Sequence, residues 1–169
     1  MNGRVTKEKW KKLLEWFSPL IVNDSYHSEI DQSVKPQQQE KDPIVGWTLD
    51  EIVAVVEPKS FFGWLGTNET RELLSSKEAG TYLFRFSGST PGSYTLSISL
   101  GNGVGHWRIS CEKLGKGQLQ LKLENKTFKE FSEIVQLYQI LPLKSTVDSS
   151  LDVTLKQSCD REKDLIAKN

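Results

Sequence analysis

The sequence predicts an α+β fold in which a small central antiparallel sheet is flanked by two helices and preceded by a helical extension. Four segments between residues 81 and 123 alternate apolar and polar side chains, which is the two-residue period of a half-buried strand. Short turns join these segments, and Gly101-Asn102-Gly103 is typical of a hairpin connection. Segments with helical periodicity lie on both sides, so the predicted order is helix, four strands, helix.

The N-terminal part of the chain, residues 1–57, is predicted to be a helical extension or linker. Residues 5–18 place tryptophan, leucine and phenylalanine at helical spacing, whereas residues 23–43 lose this periodicity and turn polar. A capping box from Thr48 to Glu51 then begins a second helix. The acidic residues of the polar segment lack the spacing of a calcium loop, so no calcium site is expected there.

Two helices are predicted to flank the strands. Thr67 is the expected cap of the first helix. Thr127 and Glu130 form the capping box expected to begin the second, with Phe128 in its apolar stripe. The domain proper is therefore predicted to span residues 58–148.

The remaining residues, 149–169, are predicted to form a charged C-terminal tail. Their pattern is only weakly amphipathic, so a helix and a frayed end are both compatible with it.

An arginine in the first predicted strand needs an explanation. Tyr82, Phe84 and Phe86 share one face of this strand, so Arg85 lies on the other face. A buried guanidinium cannot be neutralised and needs an anion or a set of acceptors. Hydroxyls and backbone N–H groups follow it at Ser87, Gly88, Ser89 and Thr90. The strand alone fits equally well a phosphate or carboxylate pocket with Arg85 at its floor and an internal arginine–carboxylate pair.

The third predicted strand favours the pocket. Its alternation places His106 and Arg108 on one face, with Trp107 on the other. No carboxylate belongs to the surrounding motif. Two arginines, a histidine and a hydroxyl-rich loop together indicate an anion site.

Composition excludes several other classes of function. The 22 basic residues balance the 22 acidic residues, so no net charge attracts nucleic acid or membrane, and anion recognition must be local. The two cysteines form neither a metal spacing nor a disulfide framework, which suits a reducing compartment. No apolar run reaches the ~18 residues of a membrane span, and the N-terminus does not resemble a signal peptide. We therefore expect a soluble intracellular protein.

Catalysis is not expected either. The sequence lacks the Cys-x5-Arg loop of tyrosine phosphatases, the Gly-x-Ser-x-Gly motif and any metal-ligand spacing. The glycines from Gly101 to Gly105 vaguely resemble a dinucleotide loop, but they join two antiparallel strands and begin no helix. No enzyme activity, metal or cofactor is predicted.

Six blocks of residues resemble the Src homology 2 (SH2) domain, a module that binds phosphotyrosine-containing peptides. The blocks follow the order of that family and are separated by matching lengths of chain. The family's signature strand is an apolar run that ends in arginine, a variable residue and serine, and here it reads Tyr82-Leu-Phe-Arg85-Phe-Ser87. The other blocks are residues 61–65, 72–74, 92–98, 104–109 and 128–138. The resemblance covers residues 60 to about 146.

The resemblance implies a role for each residue of the expected pocket. Arg85 is similar to the family's buried arginine, which grips two phosphate oxygens. Ser87, Ser89 and Thr90 are similar to the donors that close around the same phosphate.

Other positions are similar to residues that surround the phosphotyrosine. His106 is similar to the strand histidine that helps to position the arginine, and Arg108 to a basic residue that flanks the phosphotyrosine ring. Trp107 occupies the place of a residue that contacts the peptide beyond the phosphotyrosine. Thr67, the other candidate peptide contact, stands where the family often has an arginine, and Ser60 replaces the entry tryptophan. Without the helix arginine, Arg108 is expected to carry more of the contact with the ring and the phosphate.

The resemblance implies that the partners are tyrosine-phosphorylated proteins or peptides, and that the isolated module is a monomer in the cytoplasm. A bacterial protein delivered into a host cytosol would be compatible with the same residues. A degenerate scaffold that binds phosphoserine, phosphothreonine or unphosphorylated partners is the alternative function. The N-terminal helices are weakly similar to the linkers of signal transducer and activator of transcription proteins.

Overall fold

The computed structural model describes residues 11, 17, 49–114, 118–144 and 152–166. Of the helix predicted over residues 5–18, Lys11 and Phe17 are described, and both are helical. The rest of that helix, the polar segment 23–43 and the predicted cap Thr48 lie outside the described residues.

Four helices and eight strands have both ends within the described ranges. The helices are α1 (Leu49–Val56), α2 (Thr67–Ser75), α3 (Phe131–Tyr138) and α4 (Arg161–Ile166). The longer strands are β1 (Thr81–Phe86), β2 (Tyr94–Ser99), β3 (Val104–Leu114) and β4 (Gln118–Leu123). The shorter strands are β5 (Lys126–Phe128), β6 (Leu143–Lys144), β7 (Asp152–Val153) and β8 (Gln157–Ser158). None of these described helices is both long and apolar enough to cross a bilayer.

The predicted α+β architecture, with a central antiparallel sheet between two helices, is confirmed. The strand order of the main sheet is β5-β4-β3-β2-β1-β8, and β6 pairs with β7 in a second, two-stranded sheet. Successive strands from β1 to β5 pair antiparallel because short connections join them. The edge strand β8 pairs parallel with β1.

The sheet has two different faces, named here after the helices that cover them. On the α3 face, aromatic and aliphatic side chains of β1–β4 pack with Ile134 and Tyr138 of α3 into the larger core. On the α2 face, Leu73 and Leu74 of α2 pack with Leu83 and neighbouring side chains into a smaller cluster. Strand alternation assigns Arg85, His106 and other polar side chains of β1–β3 to the α2 face.

The starts of α2 and α3 differ from the predicted capping boxes. Thr67 is the first residue of α2, and the cap is Gly66, whose N–H donates to the Glu69 carboxylate at 2.7 Å. The helix predicted to begin at the Thr127 capping box starts at Phe131 instead. The assignment of Phe128 to that helix was wrong. Phe128 lies on β5, where it pairs with Leu121 of β4, and this tertiary contact outweighs the local helix signals.

Residues 152–166, within the predicted charged tail, pack against the domain. Val153 and Leu155 enter the larger core, and Cys159 enters the α2-face cluster. Arg161 Nη1 donates to the backbone carbonyls of Val56 and Phe61, both at 3.0 Å. The domain boundary at residue 148 stays a prediction.

Candidate anion-binding site

A cavity of about 460 Å³ opens on the α2 face, beside the start of α2 and the loop that follows β1. Its lining combines cationic, hydroxyl and glycine residues: Thr67, Arg85, Ser87, Gly88, Ser89, Thr95, His106 and Arg108. None of these residues is acidic, so the cavity presents positive charge and hydrogen-bond donors.

The strand register aligns the polar side chains of this cavity. Arg85 pairs with Thr95, and Thr95 pairs with Arg108, which makes one row across β1, β2 and β3. Ser97 pairs with His106 in the neighbouring row. Because cross-strand partners stand side by side on one face, these rows bring both arginines and the histidine together.

Arg85 is 5% exposed and lies at the floor of the cavity. Its Nη1 donates to the Phe86 carbonyl at 3.2 Å, and its Nη2 donates to Thr67 Oγ1 at 3.4 Å. Its Nε is buried and has no hydrogen-bond partner among the described residues. Burial lowers the pKa of the guanidinium, which nevertheless remains charged because its ordinary value is 12.5.

The internal ion pair considered for Arg85 is not formed within the described part of the chain. A buried cation without a carboxylate is costly, and two long hydrogen bonds to neutral acceptors offset only part of that cost. The geometry is therefore that of a cation held ready for an anion from outside.

The loop after β1 is held by hydrogen bonds to Ser87, its first residue. The Thr90 N–H donates to Ser87 Oγ at 3.2 Å, and the hydroxyls of Ser87 and Ser89 are 3.4 Å apart. The Ser87 N–H donates to the Ser93 carbonyl at 3.0 Å and closes the loop. Ser87 and Ser89 line the cavity, whereas Thr90 supports the loop and is not part of the lining. The role of the three residues as phosphate donors stays a prediction.

His106 is held as a neutral ring. Its Nδ1 lies 2.9 Å from the hydroxyl of Ser97, which is completely buried. Burial lowers the pKa of His106 to about 4, assisted by the positive charges of Arg85 and Arg71. The ring is uncharged at neutral pH and does not compete with Arg85 for an anion.

The structure places Trp107 on the α3 face, away from the cavity. Its side chain is 4% exposed, and its indole N–H donates to the Lys144 carbonyl at 3.0 Å. The ring packs over Gly105, where an added Cβ would lie 2.5 Å from a ring carbon. Contact of Trp107 with a bound peptide stays a prediction.

Sequence reasoning missed Thr95, which lines the cavity between the two arginines. The alternation of β2 placed Thr95 on the polar face, and this was the only signal in the sequence. The strand register determines that Thr95 lies beside Arg85 and Arg108, and local residue patterns do not specify this register.

A pocket with this lining can bind a compact anion through charge-assisted hydrogen bonds. The described residues contain no cluster of three or more side chains suited to a metal ion. An antiparallel sheet between two helices, with a buried arginine at the floor of a cationic cavity, is an arrangement suited to the recognition of an anion.

Comparison with known families is consistent with this arrangement. Residues 61–138 match the model of the SH2 domain family, and this part of the chain is an SH2 domain. SH2 domains are binding modules that recognise phosphotyrosine-containing partners in signalling.

Two curated relatives are dual specificity protein kinases of Dictyostelium discoideum. The kinase shkA is 33% identical over 132 residues, which are 78% of this chain and 20% of shkA. The kinase shkC is 26% identical over 132 residues, which are 78% of this chain and 21% of shkC. The chain thus spans about a fifth of the length of these relatives.

A solved structure has the same fold. It is the NMR structure of the SH2 domain of a CRK/CRKL homolog from Monosiga brevicollis, with a TM-score of 0.51 and 26% sequence identity. The match covers 61% of this chain and 88% of that domain.

Proposed function

We propose that the cavity on the α2 face is the phosphotyrosine pocket of this SH2 domain, with Arg85 at its floor as the phosphate ligand. The observation that carries the proposal is the state of Arg85. It is a buried cation with an unpartnered Nε and no carboxylate partner among the described residues. A phosphate dianion supplies both the charge and the acceptors that this side chain lacks.

The other lining residues have complementary roles. Ser87 and Ser89 donate their hydroxyls to the phosphate from the loop. Arg108 is exposed at the rim on β3 and contacts the ring or the phosphate from that side. The hydrogen bond that Arg85 Nη2 donates to Thr67 Oγ1 orients the guanidinium before the ligand arrives.

The depth of Arg85 favours phosphotyrosine over phosphoserine. A phosphotyrosine carries its charge at the end of a rigid ring and reaches a cation at the pocket floor. Phosphoserine is too short to reach the same cation while its backbone remains outside the pocket.

Arg85→Ala tests the proposal. Loss of a buried charged partner weakens binding by about 2–5 kcal/mol, which is roughly thirty-fold to several thousand-fold in Kd. The measurement is calorimetric titration of the 169-residue chain with a phosphotyrosine peptide selected from a library. The control is Lys129→Ala, which removes an exposed positive charge just before α3. If Arg85→Ala binds within threefold of the wild type, the pocket assignment is wrong.

The second candidate function is a degenerate scaffold that does not depend on phosphotyrosine. It is favoured by the threonine at position 67, where the family often has an arginine. Three versions of one peptide, carrying phosphotyrosine, phosphoserine or no phosphate, separate the two functions. We expect measurable affinity for the phosphotyrosine version alone. Equal affinity for all three would favour the scaffold.

We further propose that this module binds phosphotyrosine without hydrolysing it and needs no cofactor. Burial raises the pKa of the Cys159 thiol to about 12, so it stays protonated and is a poor nucleophile. Ser97, beside His106, is buried within the sheet and is not positioned to attack a ligand. The check is a turnover assay with p-nitrophenyl phosphate, in which we expect no product above background.

The remaining predictions concern the state of the protein. We propose that the isolated chain is a cytoplasmic monomer whose partners are tyrosine-phosphorylated proteins and not nucleic acids. Light scattering coupled to size-exclusion chromatography tests the monomer, with a mass of 19.2 kDa expected. A mass twice as large would contradict it.

A further inference from the structure

One cation near the cavity has no role in the interactions described above. Residues 67, 70, 71 and 74 of α2 share one side of the helix, because positions three and four apart are neighbours. Thr70 and Leu74 of this set are buried, and Thr67 lines the cavity. Arg71 follows Thr67 by one helical turn on this side of α2 and lies outside the cavity lining itself.

The Arg71 side chain is available for a ligand. It is exposed, and it forms no hydrogen bond or ion pair with any residue that the structure describes. Its charge nevertheless acts within the site, since it contributes to the lowered pKa of His106 in the cavity lining. Arg71 therefore adds positive potential where an anion would bind.

We propose that Arg71 is a third cationic contact of the bound phosphotyrosine, donating to the phosphate from α2 while Arg108 approaches from β3. This inference rests on the proposed function of the cavity. Thr67, the α2 residue in the lining, has a hydroxyl that already accepts from Arg85. Arg71 is the nearest cation along that side of α2, and it compensates for the small polar side chain at Thr67.

The mechanism predicts a particular pattern of effects. Arg71 approaches from the exposed rim, so its contribution is smaller than that of the buried Arg85 and is screened by salt. Removal of its charge should weaken anion binding about three- to tenfold at low salt. Lysine at this position keeps the charge and should recover much of the affinity.

The test uses phenyl phosphate, which reproduces the phosphorylated ring of phosphotyrosine without a peptide. NMR titration of the 169-residue chain compares the wild type with Arg71→Gln and Arg71→Lys at low and high salt. Lys129→Gln is the matched control, since it removes one exposed positive charge near α3. We expect Arg71→Gln to bind about three- to tenfold more weakly and the control to bind within 1.5-fold of the wild type, with the difference shrinking at high salt.

The outcomes separate this inference from the function on which it rests. If Arg71→Gln binds as tightly as the wild type while Arg85→Ala does not bind, the pocket stands and Arg71 has no part in it. If Lys129→Gln weakens binding as much as Arg71→Gln, the effect is one of net charge and the inference fails. If the wild type binds neither phenyl phosphate nor a phosphotyrosine peptide, the proposed function itself is wrong.

Discussion

The two faces of the central sheet are built from the same strands but serve different ends. On the α3 face, β1–β4 contribute aromatic and aliphatic side chains to one large apolar core. On the α2 face, the same strands contribute only Leu83 and Val104 to a small cluster. Their other positions on this face hold the polar rows that contain Arg85, Ser97 and His106.

The difference separates the face that stabilises the fold from the face that carries the proposed binding site. Burial of apolar surface on the α3 face supplies most of the driving force for folding. The α2 face buries polar groups and a charge that an apolar core would not contain, at a cost in stability. A fold with one strongly apolar face can keep a costly binding site on the other face.

The largest expected effect on stability comes from the apolar face. Leu96 is fully buried between Phe84 and Trp107 in the strand register. Leu96→Ala should lower the free energy of unfolding by about 2–5 kcal/mol through lost burial and a cavity. Thr95→Ala, on the opposite face of the same strand, should cost under about 1 kcal/mol. Chemical denaturation measures both, and equal losses would refute the contrast between the faces.

Gly105→Ala should disturb the apolar face without removing any atom from it. An added Cβ would lie 2.5 Å from the Trp107 ring, which is buried and cannot swing away freely. We expect a loss of about 1–3 kcal/mol through overpacking. Denaturation followed by tryptophan fluorescence checks this. Gly103→Ala is the control, because its added Cβ meets no atom within 4 Å, and a similar loss there would contradict the mechanism.

His106 should make the polar face sensitive to acid. Its pKa is about 4 in the folded state and near 6.5 when unfolded, so between these values only the unfolded chain takes up the proton. Its contribution to stability therefore falls as the pH drops from 6.5 towards 4. Allowing for partial exposure of the ring, the loss is about 1–2 kcal/mol by pH 5.

His106→Gln removes this titration, so the difference in unfolding free energy between wild type and variant should change with pH over the same window. A constant difference would show that His106 titrates normally. Phosphopeptide should also raise the pKa of His106, because the phosphate charge opposes that of Arg85. NMR titration of the ring measures that shift directly.

The smallest expected effect on stability concerns Arg85. Arg85→Met replaces an uncompensated buried cation with an apolar chain of similar length, and the free energy of unfolding should stay the same or rise by about 1 kcal/mol. Phosphopeptide binding should be lost in the same variant. Thermal denaturation beside calorimetry checks the pair of outcomes. A loss of stability above about 2 kcal/mol would assign Arg85 a structural role instead.

Much of the fold and of the site followed from short-range patterns. Two-residue alternation placed Arg85 opposite Phe84 and Phe86, and it placed His106 and Arg108 on one face. The structure gathers these three residues at one cavity, together with Ser87 and Ser89. Binding of phosphate there stays a prediction.

Other features depended on contacts between residues distant in sequence. Phe128 lies on a strand because β4 offers it a partner, although the local pattern indicated a helix. β8 joins the sheet from a segment that the sequence presents as a charged tail. Thr95 enters the site through its register with Arg85.

The sequence by itself determined the class of fold, the two faces of the strands and the arginine around which the site is built. These features depend on the periodicity and chemistry of neighbouring residues, which are written directly in the chain. Tertiary structure alone decided the strand register, the hydrogen bond from the Trp107 indole to the Lys144 carbonyl and the meeting of α2 with three strands at one cavity. Those features arise when separate elements pack together, and the energy of that packing belongs to no single segment.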